Sequence, residues 1–415
     1  IRDRPFTLQE MLRLVKRVLS GPAHLKRQSF DELLHIEQEE GIHETLKERR
    51  AVHLTVFASD LDGTLTQNGA IQPSTWSMLR AAKLSGMVLF LVTGRTLDTF
   101  LATGPFEELF EAIIAENGAV VYFPKRGSVA LPFGHLSADL VERFHSLDIP
   151  LESGMAIVAT VAPHEEAIYR VLQEERYAGT IEYNRGAIML LPTGASKGNG
   201  LLYALEELGY SPHNVIACGD AENDRSLFDV AELGVAVSNA QEGVRGAADI
   251  TLALPGGAGI EQLLQDLIDG QTPESPLRSN RGLRLGSRAS GAPVIFDPFA
   301  LTQTNLGITG ASGSGKSWVA GLLVEELLKQ KYQVCIIDPE GDYRALASSP
   351  RTLLLGGPSS KLPSVREVID LAEWNNVSLM LDLSQYDLEE RHAYVDDFLR
   401  ALRGLRARRG RPHYF

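Results

Sequence analysis

Apolar runs of strand length alternate with helix-like stretches from Leu54 to about Leu267. LTVFASD (54–60), VLFLVTG (88–94), AIIAENG (112–118) and VIACGD (215–220) are rich in β-branched and apolar residues, and each ends in polar or glycine residues. That alternation predicts a doubly wound parallel α/β sheet. Ligands of such sheets bind outside the carboxyl ends of the strands, where Asp60, Thr93 and Asp220 all fall, so the three are expected to converge. Residues 1–50 read as helices instead. Thr7 and Glu10, then Ser29 and Glu32, have capping-box spacing, and Leu8, Met11, Leu12, Val15, Val18 and Leu19 recur along one helical face. These helices could bind a partner, but packing of the stripe on the following domain or on a missing upstream segment is the commoner explanation, and no chemistry is assigned there.

Between Gly270 and Ala292 the chain turns to Gly, Pro, Ser and Arg, which predicts a linker. Beyond it VIF (294–296) and LGITG (306–310) read as strands, followed by a glycine-rich turn, a helix from about Lys316 to Lys331 and the strand QVCIID (333–338). The expected organisation is helices at 1–50, a first α/β domain at 51–270, a linker at 271–292 and a second α/β domain at 293–415.

Composition narrows the class. The 415 residues are 44% hydrophobic and 22% charged, which fits two or three ordinary globular domains and excludes wholesale disorder. Asp+Glu 53 against Lys+Arg 40 gives a net charge of -13, which argues against a chain that coats nucleic acid along its length. A basic run remains at Arg400, Arg403, Arg406, Arg408, Arg409 and Arg411; a charged surface helix, a nucleic-acid contact or a neighbouring subunit would each explain it. Cys218 and Cys335 each sit in an apolar run and read as reduced core thiols of a cytoplasmic protein. No apolar stretch reaches the roughly 18 to 20 residues of a membrane helix, so no membrane partner is expected. The chain opens at Ile1 without a charged leader, and an upstream piece can be missing.

The strand ends carry the chemistry. Asp60 and Asp62, at i and i+2 in DLDGTL, suit a nucleophile aimed at phosphorus and a general acid/base at the bridging oxygen. Thr93 and Gly94 offer a hydroxyl and a backbone amide to phosphate oxygens, Lys197 lies in the turn TGASKGNG, and Asp220, Asn223 and Asp224 cluster in GDAEND. Together they compose an acidic Mg²⁺ site facing a cationic clamp.

DLDGTL, VTGR, the lysine of LPTGASKG and GDAEND, in that order, resemble the four motifs of the haloacid dehalogenase (HAD) phosphohydrolases. The resemblance covers about Val52 to Gly270. It implies an aspartyl-phosphate on Asp60, proton transfer by Asp62, and a phosphoryl group held by Thr93 and Lys197. It further implies Mg²⁺ bound by the Asp60 carboxylate, the Asp62 carbonyl and Asp220, with Asn223 and Asp224 supporting the metal or Lys197. The short span from Asp62 to Thr93 leaves no room for the cap of the mutases, whereas the long insert before Lys197 looks like the α+β cap of Cof-type class IIB phosphatases, expected at about 124–190. That cap is expected to close over the site, with a sugar phosphate as the leading substrate class. Arg170, Glu174, Arg176 and Arg185 are candidate substrate contacts, though a solvated face is the commoner explanation for each singly.

A second site follows. GASGSGKS (310–317) matches G-x-x-x-x-G-K-[ST]: backbone amides of Gly310, Ser312, Gly313, Ser314 and Gly315 wrap phosphates, Lys316 reaches the terminal ones and Ser317 sits on Mg²⁺. ATP or another NTP is the expected ligand. The flanking sequence, with CIIDPEGDY (335–343), resembles the HerA/FtsK-like ATPases, which implies a site near Asp338, Gly341 and Tyr343 and self-association through this domain; a turn explains DPEGD as well. SLMLDLSQYD (378–387) offers Asp382 as a metal-binding aspartate but lacks the following Glu, so the resemblance puts the true strand of that kind beyond RPHYF and the domain is expected to be incomplete. The leading reading is a Mg²⁺-dependent phosphomonoesterase fused to a P-loop domain. The alternative is a nucleic-acid-linked ATPase with an accessory HAD domain.

Overall fold

Val56–Asp60 is buried along its whole length, as a strand between two covered faces must be, and forms β1 at the centre of the first unit. The computed structural model describes residues 54–415 apart from 68, 103–107, 148, 178, 185, 272, 274–280 and 303–304. The helices expected at 1–50, and Arg185, lie outside the described residues. The chain divides at 276/277.

After β1 come a small β2–β3 ribbon (Thr66–Gln67 and Ala70–Ile71), α1 (Pro73–Leu84), β4 (Val88–Val92), α2 (Leu97–Leu101), β5 (Ala112–Ala115), β6 (Val120–Phe123) and β7 (Ser128–Ala130). An inserted layer follows: α3 (Ala138–His145), β8 (Glu152–Ser153), β9 (Val158–Val161), α4 (Glu165–Glu174), β10 (Thr180–Asn184) and β11 (Ala187–Leu191). The chain returns through α5 (Lys197–Leu208), β12 (Val215–Gly219), α6 (Arg225–Val230), β13 (Leu233–Ala236), α7 (Glu242–Arg245), β14 (Ile250–Thr251) and α8 (Gly256–Ile268).

The main sheet runs β14-β13-β12-β1-β4-β5-β6-β7, parallel from β14 to β5 and closed by the antiparallel β6 and β7. The expected doubly wound fold is therefore present, with an antiparallel edge. Strand order reverses at β1, and the crevice of such a sheet opens at that point. The inserted layer is an antiparallel sheet, β10-β11-β9-β8, whose Val158 and Leu190 pack on Leu140 and Phe144 of α3 and on Ile168, Val171 and Leu172 of α4. It begins later than the expected 124, because β7 pairs with β6 and keeps the chain in the main sheet to Ala130.

In the second unit β15 (Leu283–Ser287) and β16 (Pro293–Phe296) form an antiparallel ribbon, followed by α9 (Pro298–Thr302), α10 (Lys316–Lys329), β17 (Cys335–Asp338), β18 (Thr352–Gly356), α11 (Val365–Asn375), β19 (Ser378–Asp382) and α12 (Leu388–Arg409). The parallel sheet is β17-β19-β18. Two expectations need correction. The segment expected as linker to 292 already contains β15, whose Leu283 is fully buried against Leu327, Tyr332 and Val334. The strand expected at LGITG is not formed: Leu306–Gly310 has no strand pairing, and the β17 side of the sheet is taken by the chain's last residues, with Val334 bridged to Tyr414 and the Cys335 amide donating to the Tyr414 carbonyl at 2.9 Å. Both cysteines are buried and free, and burial pushes both thiols well above their ordinary range. No helix among the described residues is long and apolar enough to cross a membrane.

Candidate active site

The loops after β1 and β12, expected to converge, do so. Asp60 ends β1, Asp220 follows β12, and Asp224 closes the turn after it; one carboxylate oxygen of each lies within 4.8 Å of the others, and all three are buried. Lys197, at the first turn of α5, sits 1% exposed between them, its Nζ donating to Asp60 Oδ1 and to Asp224 Oδ1 at 2.6 Å each. Burial lowers the lysine's proton affinity, but Asp224 and Asp60 outweigh it and hold the ammonium charged. For Asp60 burial wins, with Asp224 adding to it against the opposing Lys197, and its carboxyl is pushed up to about 8. Three carboxylates against one ammonium leave negative charge that burial penalises, and a hard divalent cation with oxygen ligands is the group that would offset it. The residues present fit Mg²⁺ on that ground.

The other carboxylates have identifiable duties. Asp224 Oδ2 accepts from the Asp220 and Ala221 amides at 2.9 Å each, which shapes the turn that carries Asp220. Asp220 Oδ1 accepts from the Thr64 hydroxyl at 3.2 Å, tying the β12 loop to the β1 loop. Asn223 Nδ2 donates to Asn117 Oδ1 at 3.0 Å, while its own Oδ1 is buried without a hydrogen-bond partner.

Asp62 is engaged by a residue the sequence reading did not assign. Arg95 grips its carboxylate with Nε and one terminal nitrogen at 2.8 and 2.5 Å. The hydrogen bond to Asp62 holds the guanidinium above its usual proton affinity. Thr93 is fully buried behind the site, its hydroxyl accepting from the Arg95 amide at 3.2 Å, and Gly94 lines the cavity itself. A Cβ at Gly94 would approach Asn117 Oδ1 to 3.2 Å, so the small residue lets two loops meet.

That cavity, about 230 Å³, is walled by Asp60, Asp62, Arg95 and Lys197 below and by residues of the inserted layer, Glu152, Ile157, Ala159, Ala187 and Met189, above. The inserted layer is thus a cap. It is fastened by Glu116, a fully buried residue whose carboxylate accepts from the Met155, Ala156 and Ile157 amides at 2.9, 2.8 and 3.2 Å. Glu116, Asn117 and Gly118 all have positive φ, at 53°, 51° and 91°. This strained turn joins several parts of the site: Glu116 to the cap backbone, Asn117 Nδ2 to Met189 Sδ at 3.0 Å, and Gly118 against the Ser196 carbonyl just before Lys197. Glu182 on β10 has one buried oxygen without a partner, and burial pushes its carboxyl up to about 7 despite the opposing Lys197. Glu116, Glu152 and Glu182 were not anticipated. Of the cap residues that were, Arg170 and Arg176 are exposed and Glu174 pairs with Arg143 at 2.8 Å on the outer surface.

In the second unit the loop 310–317 leads into α10 with Gly313 and Gly315 at φ 77° and 90°. Lys316 Nζ donates to the Ala311 carbonyl at 2.9 Å. A Cβ at Gly310 would lie 2.6 Å from Ser314 Oγ, which would have to rotate away; Ser312 is exposed. Asp338 is consumed by its own turn, accepting from the amides of Glu340, Gly341, Asp342 and Tyr343. Asp382 is fully buried and held by Arg344 and the Ser384 amide, whose donors outweigh burial and keep its carboxyl below the usual range. Arg411 is internal, with donors on the Ala372 and Glu373 carbonyls, and Arg408 and Arg409 pair with Glu373.

Residues 57–147 and 152–264 match the haloacid dehalogenase-like hydrolase family, and residues 283–402 match the family described as helicase HerA, central domain. A protein of Methanopyrus kandleri named phosphoglycolate phosphatase is 30% identical over 232 residues, covering 52% of this chain and 97% of that protein. Phosphoglycolate phosphatase 2 of Saccharolobus solfataricus is 34% identical over 162 residues, 38% of this chain and 68% of that protein. A haloacid dehalogenase-like hydrolase of Bacteroides thetaiotaomicron has a similar structure, at 22% identity and a TM-score of 0.45, over 51% of this chain and 99% of that one.

Proposed function

We propose that this chain, which belongs to the haloacid dehalogenase-like hydrolases, is a Mg²⁺-dependent phosphomonoester hydrolase of the capped Cof type that works through an aspartyl-phosphate. The observation that carries the reading is the buried group Asp60, Asp220 and Asp224 around Lys197, with Asp60 and Lys197 lining the floor of a capped cavity. An Asp60 oxygen attacks phosphorus as the ester bond to the leaving oxygen breaks, and Asp62 gives that oxygen its proton. Asp62 then takes a proton from the water that opens the acyl phosphate, which returns Asp60 and frees phosphate. Lys197, the Thr93 hydroxyl and the Gly94 amide hold the phosphoryl oxygens, and Arg95 orients Asp62 between turnovers. Mg²⁺, held by Asp60, the Asp62 carbonyl and Asp220 with Asn223 and Asp224 in support, would offset charge on the transferring group. The roof excludes water and reads the leaving group, with phosphorylated sugars as the leading class.

For the second unit the proposed ligand is ATP or another NTP at 310–317, with Lys316 on the terminal phosphates and Ser317 on Mg²⁺. The match over 283–402 favours an accompanying reading, in which this unit self-associates or works on nucleic acid and the first unit is accessory. A cytoplasmic location is proposed from the two buried, free thiols.

Two substitutions separate these readings. Asp60→Asn is expected to lower hydrolysis of p-nitrophenyl phosphate by about 10³-fold or more, while Lys316→Ala leaves it unchanged. Retained turnover in Asp60→Asn would refute the assignment. ATP hydrolysis that DNA stimulates and Lys316→Ala removes would instead promote the motor reading.

A further inference from the structure

Among the described residues of the roof that line the cavity, the charged one is Glu152. Strand register aligns Glu152, Ala159, Met189 and Glu182 in one row across β8, β9, β11 and β10. Glu152, Ala159 and Met189 line the cavity, while Val158 and Leu190, one residue away, face the cap helices, as the two-residue period of a strand requires. The row is therefore apolar at its centre and acidic at its ends. Glu152 is held in place by the core: the Thr96 and Thr99 hydroxyls, 2.7 Å apart, lie 3.2 and 3.4 Å from its Oε1, so that one donates to the carboxylate and the other to its neighbour. Both cations lining the cavity already face carboxylates, Arg95 on Asp62 and Lys197 on Asp60 and Asp224. Among the described residues that line it, none offers an unmatched positive charge to a leaving group.

We propose that Glu152 sets leaving-group specificity, so that the pocket rejects a leaving group bearing a carboxylate and accepts one that donates from hydroxyl or ammonium groups. The proposal rests on the phosphohydrolase reading and adds a direction to it, one that parts this chain from relatives named for phosphoglycolate, an ester that carries a carboxylate. Repulsion between two carboxylates about 5 Å apart, discounted for solvent at an exposed side chain, amounts to about twofold to fivefold in discrimination.

The test uses the full chain with Mg²⁺ and measures phosphate release from phosphoglycolate, glycerol phosphate and ethanolamine phosphate. The expected kcat/KM is about twofold to fivefold higher for the last two than for phosphoglycolate. Glu152→Gln and then Glu152→Lys should narrow the gap stepwise by speeding phosphoglycolate. Phosphoglycolate hydrolysed as fast as the others by the unaltered chain overturns the proposal, and so does a ratio that neither variant moves. Asp60→Asn runs alongside: if it still hydrolyses the esters, the phosphohydrolase reading fails and the specificity inference falls with it, whereas a selective loss of the predicted preference leaves the reading standing.

Discussion

Glu182 illustrates what burial does to one side chain. Its carboxyl titrates near 7 in the folded unit against 4.5 in the free residue, with desolvation as the main cause. Below about pH 4.5 both folded and unfolded chains carry the proton, and burial costs little. Between about 4.5 and 7 the unfolded chain releases the proton while the folded chain keeps it, so stability falls as pH rises, and the loss is complete above about 7. Glu182→Gln removes that slope. Urea unfolding at pH 4 and pH 8 should find the variant level with the parent at the lower pH and more stable by on the order of 1–3 kcal/mol at the higher. The sequence made Asp60, Lys197, Asp220 and Asp224 legible because each follows or ends a local strand, helix or turn signal. Glu182 and Glu152 were illegible for the opposite reason: only the cross-strand register of the cap turns them toward the site. Arg411 misled for a related reason, since nothing local says that its donors will find the Ala372 and Glu373 carbonyls.

Among elements, the turn Glu116–Gly118 between β5 and β6 has the most partners at the site. Gly118 adopts φ 91°, and a Cβ there would lie 1.9 Å from the Ser196 carbonyl oxygen. Gly118→Ala is expected to cost roughly 3–5 kcal/mol, from strain and from displacement of the backbone that starts α5, and to lower kcat with Lys197 shifted. Thermal unfolding together with steady-state kinetics checks both effects; a variant with parental Tm and kcat would show that α5 tolerates the shift. The sequence revealed AENG as a strand end but not its function, because the function lies in backbone groups some forty positions away. The strand missing at LGITG has an equally physical cause: apolar residues suffice to propose a strand, yet a strand forms only beside an edge with free backbone groups.

At the scale of the molecule, the two proposed ligand sites fall in separate units of one chain. Mg²⁺ at about a hundred times its dissociation constant should stabilise the unit 54–276 by about 2.7 kcal/mol through the carboxylates of Asp60 and Asp220. Calorimetry with and without EDTA tests this, and Asp220→Asn should abolish the shift of that unit's transition. A shift that survives in Asp220→Asn would locate the cation elsewhere. The division into two α/β units and the doubly wound sheet were legible in the alternation of runs, whereas the onset of the cap after Ala130 was not, because β7 is held by its pairing with β6 rather than by any signal of its own.

The bond between Glu116 and the 155–157 amides bears on protein engineering. The exposed side of the roof and even its cavity-facing row can be redrawn, but a lid transplanted from a relative must bring a backbone loop that offers its amides at the same place. Without it the graft would leave an anion sealed beneath the chimera with no donors, and the hybrid would fail at its seam before its new selectivity could be measured.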